Sequence, residues 1–413
     1  MPPSVSAREK RLDRSRSFCM VPWVHINVRT NGQAFPCCNA DHNLPLGSLR
    51  DSALAGIWNS EPLRQMRLNM LSDKDNSQCA RCYELEKFKF PSPRRDLNKA
   101  FAHHYPFVEK TEEDGSLPRI NLPYLDIRFS NVCNFKCRYC DPHQSSAWHA
   151  DRGLLGWDER APAILTPTAD PDDLWRQIEP HIPRLEAIYF SGGEPLLAHE
   201  HYRILDALAK LEKFDVALRY NTNFSFPPFP GADVMALWSR FKRVDVSASL
   251  DGMGRRGEYI RKNQHWDDVI RNRERMMQVC SKVKFSIAPT LSVMNVLHLP
   301  DFHRDWLEKG YIGPGDIQIG MLRDPEEYRI QILPEPLKKK VAEAYESHMG
   351  YLSSRYGEGA SHALGQFQAA INLLDSQDMT HLLGKFRERT RRIDQGRGES
   401  FKKTFPELAE LSV

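Results

Sequence analysis

From about residue 120 the chain switches repeatedly between two hydrophobic periods. Short runs rich in β-branched and aromatic residues read as strands: YLDIRFS (124–130), AIYFSGG (187–193), VALRYNTN (216–223), RVDVSASLDG (243–252), VKFSIAPT (283–290) and DIQIGML (316–322). Between them LWRQIEPHI, EHYRILDALAKLE, DVMALWSRF, WDDVIRNRERMMQVC and LPDFHRDWLEKG repeat apolar positions at helical spacing. Regular alternation of this kind predicts an α/β fold, a parallel sheet covered by helices. Six such units suit a partial (β/α)6 TIM-like barrel. An open doubly wound sheet is the alternative that periodicity leaves standing.

Three of the strands alternate polar with apolar residues: Asp126, Arg128, Ser130; Arg219, Asn221, Asn223; Asp245, Ser247, Ser249. A parallel strand buried on both faces reads nearly all apolar. One face of this sheet is therefore expected to meet water or a polar ligand, as a barrel lumen does; edge strands with one solvated face are the plainer account. The barrel is expected over 121–330, after a cysteine-rich module at 1–94 and a linker at 95–120. A helical, polar C-terminal region is expected over 331–413.

Charge changes this picture by exclusion. Formal net charge is +3 with nearly balanced signs, which points to neither nucleic acid nor an anionic membrane. No apolar run approaches the roughly 20 residues of a membrane helix, and the basic opening MPPSVSAREKRLDRSRS has no apolar segment behind it. The expected location is the cytoplasm. Nine cysteines in a reducing compartment read as metal ligands or reactive thiols.

The cysteines are clustered. NVCNFKCRYCDP places Cys133, Cys137 and Cys140 at C-x3-C-x2-C directly after the first strand. Close-set thiolates select zinc or an iron–sulfur cluster. Three on a four-iron cubane leave one iron free for a small molecule; zinc with a distant fourth ligand such as His143 is the alternative. Nearer the N-terminus, Cys19 and Cys37 are spaced C-x12-G-x4-C around Gly32, and Cys79 and Cys82 form CARC. Four thiols can close a cluster completely or hold structural zinc. Cys38 is left as a spectator, a substitute ligand or a hydrogen donor, and Cys280 reads as structural. His103, His104, His199 and His201 flank no matching ligand pair and read as surface or loop residues.

The trio, with Tyr139 before its last cysteine, resembles the radical S-adenosylmethionine (SAM) superfamily. The likeness spans about 120–330 and rests on four motifs in order at the ends of successive strands. SGGEP (191–195) is similar to that family's glycine–glycine–glutamate segment. YNTN matches its third-strand turn, with Phe224 where the family often has glycine. SLDG (249–252) is followed by Arg261, as in the family's maturases. The resemblance implies that Cys133, Cys137 and Cys140 hold a four-iron, four-sulfur cluster whose free iron chelates SAM. It implies that Gly192 and Gly193 let the backbone approach the methionine part and that Glu194 takes its ammonium. Asn223, Ser249, Arg261 and Tyr139 join the SAM site, Ser249 and Arg261 towards the ribose and carboxylate. Reductive cleavage then yields a 5′-deoxyadenosyl radical that abstracts a substrate hydrogen atom, the cofactor carrying the difficult chemistry. Cys19, Cys37, Cys79 and Cys82 resemble the SPASM/twitch auxiliary-cluster module, although that module normally follows the barrel.

A closed auxiliary cluster suits electron transfer, so the expected reaction is net oxidation of a polar small molecule or peptide: dehydrogenation or cross-linking. The electron source is expected to be a reductant such as flavodoxin or ferredoxin. Epimerisation with a thiol hydrogen donor is the enzymatic rival. A non-catalytic iron–sulfur or zinc-binding protein is the rival of another class, disfavoured by the SAM-binding motifs.

Overall fold

The computed structural model describes residues 7–87, 92–158, 160–226 and 232–412; the first six residues of the basic opening segment lie outside them. Twelve strands occur among the described residues: β1 His25–Val28, β2 Gln33–Phe35, β3 Gly47–Ser48, β4 Tyr124–Ile127, β5 Lys136–Cys137, β6 Ala187–Phe190, β7 Ala217–Thr222, β8 Arg243–Ala248, β9 Arg261–Lys262, β10 Lys284–Ile287, β11 Thr290–Leu291 and β12 Gly320–Met321. The chain is α/β, with helices between its parallel strands, as the partial-barrel reading expects. It divides into two units, one formed by 1–130, 165–192 and 198–218, the other by 131–164, 193–197 and 219–413.

In the first unit the strand order is β6-β4-β1-β2-β3. β4 pairs in parallel with β6, and β1 pairs in parallel with β4, His25 opposite Tyr124 through Val28 opposite Ile127. The cysteine-rich module thus extends the sheet by a hairpin, β1–β2, turning at Gly32 with φ +86°. β1 is buried along its whole length, which explains why HINV carries no solvated face. Residues 95–120, expected as a linker, begin within the helix Pro93–Ala100, whose N-cap Ser92 accepts from the Arg95 amide. That helix is tied to the module: buried Arg94 donates to the Phe18 carbonyl (2.6 Å), and Asn98 accepts from the Met20 amide (2.8 Å).

In the second unit β8 pairs in parallel with β10, Lys284 opposite Asp245, and the Ser249 amide donates to the carbonyl of Thr222 at the end of β7. The polar alternation holds in β8, where Val244, Val246 and Ala248 are buried while Asp245 and Ser247 are half-buried, but not in β4, which is buried throughout with Asp126 fully enclosed. The observed strands stop short of the expected ones. Residues 191–193 and 249–252 leave the ladder, their turn-prone composition serving loops instead. The sixth expected strand is assigned only at Gly320–Met321 and at the Ile317–Ile287 bridge, but its backbone bonds run along the expected span: the Asp316 carbonyl accepts from the Ile287 amide (3.0 Å), and the Gln318 and Gly320 amides donate to the Ile287 and Pro289 carbonyls. The Asp316 side chain accepts from the Gly313 amide (2.9 Å), closing the turn that leads into it. Beyond it, Glu335–Tyr356, Ser361–Leu374 and Leu383–Arg397 are helical, as expected.

Candidate active site

The loop after β4 carries the three thiols, Cys137 buried and the other two half-buried. Its shape is fixed at several points. β5 pairs with β9 so that Cys137 lies opposite Arg261. The Cys137 carbonyl accepts from Trp148 Nε1 (2.9 Å) and from the Cys140 amide (3.0 Å). Burial pushes the Cys133 thiol up to about 12, with Cys137 and Glu194 adding to it. Cys137 and Cys140 share a hydrogen bond that holds the first below its ordinary value and pushes the second well above. Crowded, desolvated thiols of this kind become stable thiolates only around a cation, so the donor set fits an iron–sulfur cluster.

The SGGEP segment meets this loop through its backbone. The Glu194 amide donates to the Val132 carbonyl (2.7 Å). A Cβ on Gly193 would stand 2.2 Å from that same carbonyl, so Gly193 is required by the thiol loop. Glu194 is buried, and its carboxylate accepts from Thr222 Oγ1 (2.7 Å), the Asn223 amide (2.6 Å) and the Leu196 amide (3.1 Å). Burial nonetheless raises it to about 7, against which those hydrogen bonds pull. Asn223 reaches Asn134 (2.8 Å) and approaches Cys133 Sγ (3.9 Å). Phe224, which stands where related sequences often have glycine, adopts φ +63° in a fully buried position. The turn keeps its left-handed residue despite a side chain, at a cost of about 1–2 kcal/mol.

Asp251, inside SLDG, organises the other side and was not singled out by its sequence. It is fully buried and accepts from Tyr139 Oη (2.6 Å) and the Thr290 amide (2.7 Å). It also pairs with Arg261 (2.8 Å), whose Nη1 in turn lies 3.7 Å from Cys137 Sγ and whose guanidinium faces the Tyr139 ring at 5.4 Å. Ser249 is half-buried at the end of β8. The expected site residues of this unit therefore converge, with Thr222 and Asp251 added. Gly192 belongs to the first unit, where its φ is +118°.

Arg138, between two of the thiols, was also missed. It is wholly buried, stacks 3.5 Å from the Tyr259 ring, and pairs with Asp394 (2.5 Å) and Glu399 (2.6 Å) at the end of the helix Leu383–Arg397. Arg397 of that helix pairs with Asp151 (3.0 Å) and lies over Trp148. Beside this clamp a polar cavity of about 370 Å³ opens onto Tyr139 and Cys140, lined also by Trp157, Glu327, Lys385 and Arg389.

The first unit gathers the other thiols. Burial raises Cys19, Cys37, Cys79 and Cys82, and proximity adds to it: Cys79 and Cys82 raise Cys19, Cys19 and Cys79 raise Cys37, and Cys82 raises Cys79, which reaches about 11. Arg94 opposes the rise at Cys19, Cys79 and Cys82. Four converging thiols beside Arg94 and Arg81 fit a fully ligated cluster. Cys38 differs. It is exposed, not a buried spectator, yet hemmed in enough that desolvation raises it to about 11, with Asp126 raising and Arg128 lowering it. Of the histidines read as surface residues, His201 is fully buried, in edge-on contact with Phe190. Cys280 is buried at the end of the helix Trp266–Val279, as expected.

Residues 127–300, which hold the three thiols, SGGEP, SLDG and Arg261, match the Radical SAM superfamily. Residues 19–83 match the SPASM iron-sulfur cluster-binding domain, so the chain is a radical SAM enzyme preceded by a SPASM module. SAM and iron–sulfur clusters are its cofactors. The chain is 26% identical over 127 residues to GTP 3′,8-cyclase of Campylobacter lari (30% of this chain, 34% of the relative). It is 33% identical over 89 residues to GTP 3′,8-cyclase 2 of Mycobacterium bovis (21% of each) and 25% identical over 191 residues to GTP 3′,8-cyclase of Aliarcobacter butzleri (44% and 51%). It thus spans between a fifth and about half the length of these curated relatives. Among solved structures it is similar to native anSMEcpe with bound AdoMet, at TM-score 0.38 and 17% identity over 58% of this chain and 62% of that chain. The same protein with AdoMet and Cp18Cys peptide gives TM-score 0.36 and 16% identity over 57% and 61%. Among the described residues no helix is long and apolar enough to cross a membrane.

Proposed function

We propose that the chain oxidises a polar small molecule or peptide side chain by hydrogen abstraction, the second electron leaving through the N-terminal module. The observation that carries this reading is the grouping of Cys19, Cys37, Cys79 and Cys82, with Cys38 beside Cys37 as a fifth thiol that is exposed. A cluster held by four thiolates has no iron free for substrate, and electron transfer is the use left to it.

In this reading Cys133, Cys137 and Cys140 hold the SAM-binding cluster, which supplies the electron that cleaves SAM. Glu194, already surrounded by donors and desolvated, takes the SAM ammonium, whose positive charge keeps the carboxylate ionised. Asn223, Ser249, Arg261 and Tyr139 complete the pocket, and Asp251 keeps Arg261 and Tyr139 in place. The glycines set the spacing of the loops. A flavodoxin or ferredoxin is the proposed reductant, and the cavity beside Cys140 is the access we assign to it. The cytoplasm is the proposed location, consistent with nine free cysteines.

Cys38 supports a second reading. Its accessible, protonated thiol stands among the Asp126 and Arg128 side chains, as a hydrogen donor in an epimerisation would. The mass of the product decides between them. Loss of two hydrogens is expected; unchanged mass in light water with deuterium uptake in heavy water would establish epimerisation instead.

A further inference from the structure

His103 and His104 end a short turn, Ala102–His104, and Glu186 immediately precedes β6, so nothing in their sequence spacing joins them. In the first unit they converge. His103 Nε2 lies 2.8 Å from one oxygen of the Glu186 carboxylate, and His104 Nε2 lies 2.8 Å from the other. One donor atom from each residue falls within 4.8 Å of the other two. We propose that His103, His104 and Glu186 form a binding site for a divalent transition metal of the zinc class, separate from both iron–sulfur sites.

Two imidazoles and a carboxylate are a nitrogen–oxygen donor set that zinc, nickel and cobalt accept and that magnesium and calcium do not favour. The donors are held in place before any ion arrives. Phe101 lies against both rings, 6.5 Å from His103 and 6.2 Å from His104, and the two rings are 4.4 Å apart. The Glu186 backbone is fixed on both sides, its amide donating to the Pro123 carbonyl (2.8 Å) and its carbonyl accepting from the Ala217 amide (2.8 Å). An imidazole bound through Nε2 carries its proton on Nδ1 and needs an acceptor there. The side-chain amide of Asn121, which donates to the Trp23 carbonyl (3.2 Å), stands 3.4 Å from His104 Nδ1, whose acceptor in the bound state is then water.

Without an ion the same three groups make two hydrogen bonds; the ion replaces both, and each neutral imidazole keeps its proton by moving it from Nε2 to Nδ1. Tetrahedral bonds of about 2.0–2.1 Å place ligand atoms roughly 3.3 Å apart, so the groups separate by about half an ångström on binding. Side-chain exposures of 58% for His103, 19% for His104 and 40% for Glu186 leave room for water at the remaining position. A bound ion would pin the turn 102–104 to the start of β6.

The test is anaerobic equilibrium dialysis of the cluster-reconstituted enzyme against micromolar zinc, with zinc and iron determined together. About one zinc per chain beyond the clusters is expected. Glu186→Gln and, separately, His103→Asn should weaken its binding at least tenfold. Iron content and 5′-deoxyadenosine formation should stay unchanged, which shows that each variant is folded. Zinc should raise the melting temperature of the native chain and of neither variant. No zinc in the native enzyme, or equal zinc in Glu186→Gln with iron intact, overturns the proposal.

Discussion

The two cysteine sites use the same ligand and surround it differently. The trio sits among groups able to address a second molecule: Glu194 raised to about 7, Asn223, and Arg261 balanced by Asp251. The N-terminal quartet has the cations Arg94 and Arg81 nearby, with Tyr83 hydrogen-bonded to Cys79 and Glu86 acting on Cys82. In the proposed function the first arrangement binds and activates SAM, and the second passes charge. Which of two clusters performs chemistry is written in what lies around the sulfur atoms.

The sharpest test of that contrast removes one thiol from each. Cys137→Ala should abolish 5′-deoxyadenosine formation, read by chromatography, because the site that delivers the electron is lost. Cys79→Ala should leave SAM cleavage measurable while the oxidised product disappears, with iron falling from about eight to about four per chain. If the quartet is structural only, the product should persist in whatever Cys79→Ala protein stays folded.

The next effect is on stability. Arg138→Met breaks a buried ion pair and should cost about 3–5 kcal/mol in a denaturant melt. A change at the surface-exposed Arg160–Asp158 pair should cost less than about 1 kcal/mol.

A further test uses pH. A carboxylic acid raised on folding keeps its proton longer in the folded chain, so rising pH destabilises the fold between the unfolded and folded values. For Glu194 the window runs from about 4.5 to about 7. The cluster-free chain should lose up to about 3 kcal/mol across it, and urea melts of Glu194→Gln should show that slope flattened. The smallest effect is expected from Cys38→Ala, a less than threefold change in product formation; accumulation of a substrate radical in its electron paramagnetic resonance spectrum would favour the hydrogen-donor reading.

Much of this was legible in the sequence because the signals are local. C-x3-C-x2-C and SGGEP each occupy a few residues at a strand end, and the β/α alternation repeats visibly. What escaped was set by distance along the chain. Arg138 finds Asp394 after 256 residues, and the pairing of β1 with β4 joins positions 99 apart. Asp251 was in view within SLDG, but its three partners lie on separate elements. The sixth strand pairs along its expected span, from Asp316 to Leu322, although only two of its residues keep regular strand form.

The clamp on Arg138 also sets an order of events in the making of the enzyme. A growing chain exposes Cys133, Cys137 and Cys140 long before Asp394 and Glu399 exist, and until then the guanidinium between those thiols has no carboxylate to meet. A charge that the finished fold buries completely would have to remain in water, holding the loop open. The thiol loop therefore settles only after residue 399 has been synthesised and folded back. Cluster assembly at the trio is therefore expected to follow completion of the chain, whereas the N-terminal module needs nothing beyond β4 and β6 to close its sheet.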